Sequence, residues 1–195
     1  VVLALVGAPT GYAINADGTV TVPANAAAGA VLLTYQMCEA ALTGNCDSAS
    51  ISLVVAPAAV DDVVATPVGV AVNGNVATND NVPPGAVFTI PGATPAGLVF
   101  NPGGSFTYTP PVGSSGPVTF TYQVCLPAPD DAVCATALAT INVNAGTLVA
   151  VDDDFSGTPI DPAVGGLTAS VLVNDSLNGT SPPLAADVQL SLVGA

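Results

Sequence analysis

The stretch TYQMC, Thr34 to Cys38, returns as TYQVC, Thr121 to Cys125, and AVDD, Ala59 to Asp62, returns as AVDD, Ala150 to Asp153. A chain that repeats at a period of roughly ninety residues must solve one packing problem more than once, because each repeat is one structural unit. Each AVDD is followed by an Asn-Asp pair, in NVATND ending at Asp80 and in VLVND ending at Asp175. GYAINADGTVTV (Gly11 to Val22) precedes the first TYQ motif as GLVFNPGGSFTYTP (Gly97 to Pro110) precedes the second. SASISLVV (Ser48 to Val55) and ATALATINV (Ala135 to Val143) follow them. The order of these landmarks divides the chain into the closing half of a unit (1–58), a complete unit (59–148) and the opening half of another (149–195).

The ends of the chain share one motif. VVLALVGA (Val1 to Ala8) and VQLSLVGA (Val188 to Ala195) match at valine, two leucines and the final Val-Gly-Ala, and FTIPGA (Phe88 to Ala93) holds the same place in the complete unit. The two stretches are therefore expected to be one strand of one domain, with Val1, Leu3 and Leu5 equivalent to Val188, Leu190 and Leu192 as assembly strands. Strict alternation identifies strands elsewhere. SFTYTP puts Phe106 and Tyr108 on one face, VTFTYQV does so with Val118, Phe120, Tyr122 and Val124, and TINV with Ile141 and Val143. Turn sequences such as ADG, PGG and PPVGSSGP separate them, and no segment sustains a helical period. The pattern predicts an all-β chain of tandem Ig-like (cadherin-like) β-sandwich domains, with roughly seven strands per unit.

Residues 59–143 resemble the tandem immunoglobulin-like or cadherin-like repeats of large bacterial surface proteins. The elements AVDD, N-V-x-x-N-D, G-S-F-T-Y-T-P, G-x-x-x-F-x-Y-x-V and A-x-x-x-I-x-V stand here in that family's order. The resemblance implies non-catalytic spacers and binding modules of adhesins and extracellular fibres. Cadherin-like chains hold calcium between domains in clusters like Asp61, Asp62 and Asp80, or Asp152, Asp153 and Asp175, so Ca²⁺ is the one cofactor the resemblance implies. Clustered carboxylates with no cation beside them are chemically suited to it. The acidic residues that usually follow the Asn-Asp pair are missing, since Asn81-Val82-Pro83-Pro84 and Ser176-Leu177-Asn178 stand there. Turn formation and solubility are the alternative role of these aspartates.

Charge narrows function further. The 195 residues contain no Lys, Arg or His and fourteen Asp and Glu, a net charge of −14. Nucleic acid and anionic membrane surfaces are bound through cationic side chains, so neither is an expected partner. Acid–base and nucleophilic catalysis lean on His, Lys or a cation-activated thiolate, and no enzyme is expected. A zinc site lacks imidazole and paired C-x₂-C spacing. Half the residues are hydrophobic and mean hydropathy is +0.66, yet no apolar run approaches the ~20 residues of a membrane helix. Val1 to Val6 has neither an initiator methionine nor a basic flank, which points to a mature or excised piece of something longer.

Cys38 and Cys46 flank one loop, and Cys125 and Cys134 the equivalent loop of the next unit. Equivalent positions are expected to form equivalent bonds, Cys38 with Cys46 and Cys125 with Cys134, in an extracellular or cell-surface setting. Asn174-Asp175-Ser176 and Asn178-Gly179-Thr180 fit the N-glycosylation pattern. Tyr12, Tyr35, Tyr108 and Tyr122 are expected as core or rim aromatics rather than a sugar platform. The expected function is a structural repeat of a secreted or surface filament, sheath or adhesin stalk. Its partners are further copies of itself, head to tail, with half domains completed by a neighbour or by the continuing chain. The rival is a calcium-dependent adhesin module that binds a carbohydrate or a surface protein.

Overall fold

A computed structural model describes residues 1–111 and 113–193. Its fourteen strands are β1 (Val2–Val6), β2 (Ala13–Ile14), β3 (Val20–Thr21), β4 (Gly29–Cys38), β5 (Cys46–Val55), β6 (Asp62–Pro67), β7 (Val72–Asn75), β8 (Val87–Thr89), β9 (Leu98–Phe100), β10 (Ser105–Tyr108), β11 (Gly116–Cys125), β12 (Cys134–Asn144), β13 (Leu148–Val149) and β14 (Ser176–Leu177). The all-β expectation holds: one 3₁₀ turn, Val76–Thr78, accompanies the strands among the described residues. Among the described residues no helix is long and apolar enough to cross a membrane.

The middle of the chain forms a sandwich. One sheet has the order β6-β12-β11-β8 and the other β7-β10-β9. All pairs are antiparallel except β6 with β12, which run parallel with Asp62 opposite Ala139. Alternation explains the core, because successive side chains of a strand point to opposite faces. Phe106, Tyr108, Phe120, Tyr122, Val124, Ala139, Ile141 and Val143 point inward and are buried, while Thr107, Thr119 and Thr121 between them are exposed. The ring of Phe120 meets Phe100 and Phe106 edge to face at centroid separations of 5.9 and 5.7 Å, a geometry favoured by the aromatic quadrupole. Gly74 on β7 makes room for this cluster, since a Cβ there would collide with the Phe106 ring.

Residues 1–55 repeat one side of this plan. The sheet β1-β4-β5 corresponds strand for strand to β8-β11-β12: Leu3 stands opposite Met37 as Phe88 stands opposite Val124. The hairpin β2–β3 holds the place of β9–β10, with Asn15 and Asn101 in matching turns. Strands equivalent to β6 and β7 are not present in this segment. Their sequence counterparts lie in residues 149–193, where only the short pair β13–β14 is regular.

Side chains hold the segments together at the junctions. Asn81 donates from Nδ2 to the Ala26 carbonyl at 2.8 Å and accepts from the Ala28 amide at 3.2 Å. Asn178 donates to the Val68 carbonyl at 2.9 Å and accepts from Thr147 N at 3.0 Å.

Candidate functional site

The AVDD segment is clasped from two sides. On one side the turn after β7 returns Asn79 and Asp80 to it. Asp80 Oδ1 accepts from Val60 N at 2.7 Å, and Asn79 Nδ2 donates to the carbonyls of Val60 and Asp61 at 3.3 and 3.1 Å. On the other side Asp61 Oδ1 accepts the Leu138 amide of β12 at 2.8 Å. Tyr122, fully buried on β11, closes the clasp from within. Its hydroxyl lies 2.9 Å from the Val60 carbonyl and 3.0 and 3.1 Å from the Asp80 oxygens. The residues involved span more than sixty positions of sequence, so the clasp forms only when both sheets are in place.

The clasp is strained electrostatically rather than sterically. Asp62 Oδ2 is buried with no hydrogen-bond partner. Burial pushes the Asp62 carboxyl above the ordinary aspartate range, and the charges of Asp80 and Asp61 add to this. Asp80 is raised as well, chiefly by burial and against the Val60 amide and the Tyr122 hydroxyl. Burial of the ring, with Asp80 beside its hydroxyl, moves Tyr122 upward.

Both carboxyls thus hold a proton more tightly in the folded chain than in the unfolded one. Their stabilising contribution is fully present below the ordinary value of 3.8 and is lost as pH rises through the higher folded values. The melting temperature of the middle domain is expected to be higher near pH ~4.5 than at pH 7, and Asp62→Asn to narrow that difference. Relief of the −14 charge acts in the same direction but is common to both proteins, so parallel pH profiles would show that Asp62 contributes nothing to the effect.

The opening half carries the same clasp without its tyrosine. Asp175 accepts from Val151 N at 2.8 Å, and Asn174 Nδ2 donates to the Asp152 carbonyl at 3.0 Å. Asp175 is buried, whereas Asp152 and Asp153 are exposed. The two triads expected for calcium therefore differ: Asp61, Asp62 and Asp80 share one clasp, while Asp152 and Asp175 share the other with Asp153 beside them. Among the described residues no group of three or more Asp, Glu, His or Cys is placed to hold a metal ion, because Asp61 and Asp80 are turned to backbone amides.

Cys38 is bonded to Cys46 and Cys125 to Cys134, with Cα separations of 4.1 Å in both. Each bond staples the loop end of a long hairpin, β4–β5 or β11–β12, at directly opposed positions. Of the glycosylation candidates, Asn178 spends its amide on Val68 and Thr147. Tyr108 and Tyr122 are core residues, and Tyr12 and Tyr35 are half-buried.

The assembly stretches part company. Val1, Leu3 and Leu5 belong to or border β1, which pairs with β4. Val188, Leu190 and Leu192 are in no strand, and Leu190 and Leu192 are exposed. β1 occupies the edge of β4 opposite β5. Gly194 and Ala195, which end that motif, lie outside the described residues.

Both outer segments expose some of what the middle domain buries, although Leu33 is as buried as its equivalent Phe120. Met37 is 45% exposed where its equivalent Val124 is 0%, and Val171 is 40% exposed where its equivalent Val76 is 0%. The accessible surface of the chain is 12063 Å², against roughly 8,300 Å² for a compact monomer of its mass. A surplus of that order matches the area buried in large obligate interfaces. No sequence signal distinguished Tyr122 from its neighbours as the closing residue of the clasp; the recurrence of its position as Tyr35 could have done so.

A clasped, disulfide-tied sandwich of this topology defines a class: Ig-like modules. Residues 55–144 match the family model described as Bacterial Ig domain, in keeping with the Ig-like β-sandwich that they form. Among solved structures, the chain is similar to the endo-fucoidan hydrolase MfFcnA4 from glycoside hydrolase family 107, at 19% identity and a TM-score of 0.36, over 74% of this chain and 23% of that one. The related hydrolase MfFcnA9 aligns at 16% identity and a TM-score of 0.34, over 72% of this chain and 27% of that one. The zebrafish RET cadherin-like domains 1 to 4 align at 11% identity and 0.27, over 75% and 41%. This chain thus spans about a quarter of the length of the hydrolases. Likeness of this degree bears on neither activity nor substrate. A search of curated proteins finds no match.

Proposed function

We propose that the chain is a non-catalytic structural repeat of a secreted or cell-surface filament, sheath or adhesin stalk, in which open sandwich halves are completed by neighbouring copies or by the continuing chain. One observation supports this: the closed sandwich is preceded by residues 1–55, whose sheet β1-β4-β5 has no counterparts of β6 and β7 beside it, and is followed by residues 149–193, whose sequence carries those counterparts. Residues 1–55 supply counterparts of β8 to β12, and residues 149–193 the sequence counterparts of β6 and β7. An unpaired sheet edge and an uncovered apolar face favour addition of a missing strand. Repeated head to tail, such a contact does not close and generates a linear array. Two disulfides fit an oxidising, extracellular setting, and a chain without Lys or Arg offers trypsin-like proteases no cleavage site.

Sedimentation velocity of the oxidised chain tests the proposal. Species at multiples of 18.8 kDa that grow with concentration are expected; a chain that stays monomeric throughout would sink completion between subunits. Reducing, denaturing electrophoresis of the native material then separates the two routes. A band at 18.8 kDa marks separate subunits, and a far larger one marks a continuing polypeptide.

A second reading, a calcium-dependent adhesin module that binds a carbohydrate or a surface protein, is favoured by the orphaned Oδ2 of Asp62 beside Asp80. Two carboxylates and the Val60 carbonyl fall short of the six to eight oxygens Ca²⁺ takes, so water would complete the shell. On this reading millimolar Ca²⁺ raises the melting temperature by several degrees and EDTA reverses it, and Asp62→Asn abolishes the response. A melting curve indifferent to Ca²⁺ removes the reading.

A further inference from the structure

We propose that the opening half of one copy and the closing half of a second copy join in one defined register, closed by the Tyr35 hydroxyl of the second copy on Asp175 and the Val151 carbonyl of the first. This deepens the reading that open halves are completed by neighbouring copies, and it rests on that reading.

The middle domain supplies the template. There a tyrosine hydroxyl on the central strand of one sheet meets the carboxylate and carbonyl of the clasp. In the outer segments the same parts are present but divided. Tyr35 stands on β4 where Tyr122 stands on β11, and among the described residues its hydroxyl has no hydrogen bond. Asp175 and Val151 already hold the 2.8 Å contact that Asp80 and Val60 hold at 2.7 Å, so the receiving half of the clasp is preformed. A second contact follows from the same template. Asp61 caps the Leu138 amide, and the equivalent pair is Asp152 of one copy with the Ser50 amide of the next. Parallel pairing then sets Asp153 opposite Ile51, as Asp62 stands opposite Ala139.

Side-chain size makes the match specific. In the middle domain Gly74 stands opposite Phe106, and a Cβ on Gly74 would strike that ring. The equivalent positions are Ala169 and Val20, so a methyl group is gained where the facing side chain loses its ring. Phe155, on the other sheet, replaces Val64 where the outer core carries Leu33 in place of Phe120. Losses of volume on one half are thus met by gains on the other half, although the two are not packed together within one chain. Neighbours that share a core are expected to compensate in this way. Only residues 149–187 are required from the partner, because β1 already fills the place that residues 188–193 duplicate.

The test is concentration-dependent association of the full oxidised chain, measured by sedimentation. Tyr35→Phe and Asp175→Asn are each expected to weaken association about tenfold, and the double variant no more than either alone. Val20→Phe is expected to weaken it more, by collision with Ala169, and Ala169→Gly to restore it. Circular dichroism checks that each variant keeps its sheet content. If the wild-type chain associates and all four variants associate equally well, the register is wrong while completion by a neighbour stands. If the wild-type chain never associates, the proposal and the reading beneath it both fail.

Discussion

Phe120→Ala is expected to lower the melting temperature of the middle domain by roughly 15–30 °C. Phe120 is 4% exposed and is the shared member of two edge-to-face contacts, with Phe100 and Phe106. Truncation removes a phenyl ring from the seam between the sheets. It leaves a cavity that β-strands, tied by their ladders, cannot close. Large-to-small changes of this kind cost about 3–5 kcal/mol, a large share of the 5–15 kcal/mol that holds a typical domain. Leu33 is the equivalent residue of the closing half. Leu33 is itself buried, at 1% exposure, and Leu33→Ala should be felt less because a leucine gives up less apolar surface than a phenylalanine. Differential scanning calorimetry of both variants checks the order; equal effects would mean that the outer half is packed as tightly as the middle domain.

Removing the Cys125–Cys134 bond with paired serines is the second large effect, expected at about 2–3 kcal/mol by the loop-closure argument, or roughly 10–20 °C for a domain of this size. The bond joins opposed residues at the end of the β11–β12 ladder. Beyond it, Leu126 is buried, and Leu126 N donates to the Val133 carbonyl at 3.0 Å. The tip therefore keeps some order without the bond, which places the effect at the lower end of the range. The Cys38–Cys46 bond closes a tip with exposed Leu42, where less packing stands in for it. Melting of the oxidised protein against each serine pair measures both. A middle domain indifferent to its disulfide would show that β6 and β8, flanking β12 and β11, already hold the hairpin.

The two effects differ in how far the sequence announces them. Alternation of Val118, Phe120, Tyr122 and Val124 between threonines shows which face of β11 is inward, because a strand repeats every two residues whatever it pairs with. It does not show what lies across the seam. The edge-to-face partners Phe100 and Phe106 come from β9 and β10, and their approach depends on Gly74, a residue with no side chain to advertise itself. The aspartates show the same division. AVDD and the Asn-Asp pair are visible as recurring motifs, and their calcium-like composition is visible too. That Asp61 and Asp80 are engaged by the amides of Leu138 and Val60 is a matter of tertiary geometry.

By itself the sequence determined the recurrence of its motifs, the strand faces and the all-β class. Each of these is carried by local pattern or by self-similarity, which need no knowledge of contacts. Only the tertiary structure decided that β6 runs parallel to β12, that Tyr122 closes the clasp from 62 residues away, and that β1 rather than residues 188–193 lies on β4. Those outcomes depend on which of several equally suitable surfaces meet. VVLALVGA and VQLSLVGA have the same pattern, yet only the first, joined to its sheet through the β2–β3 hairpin, is paired with β4.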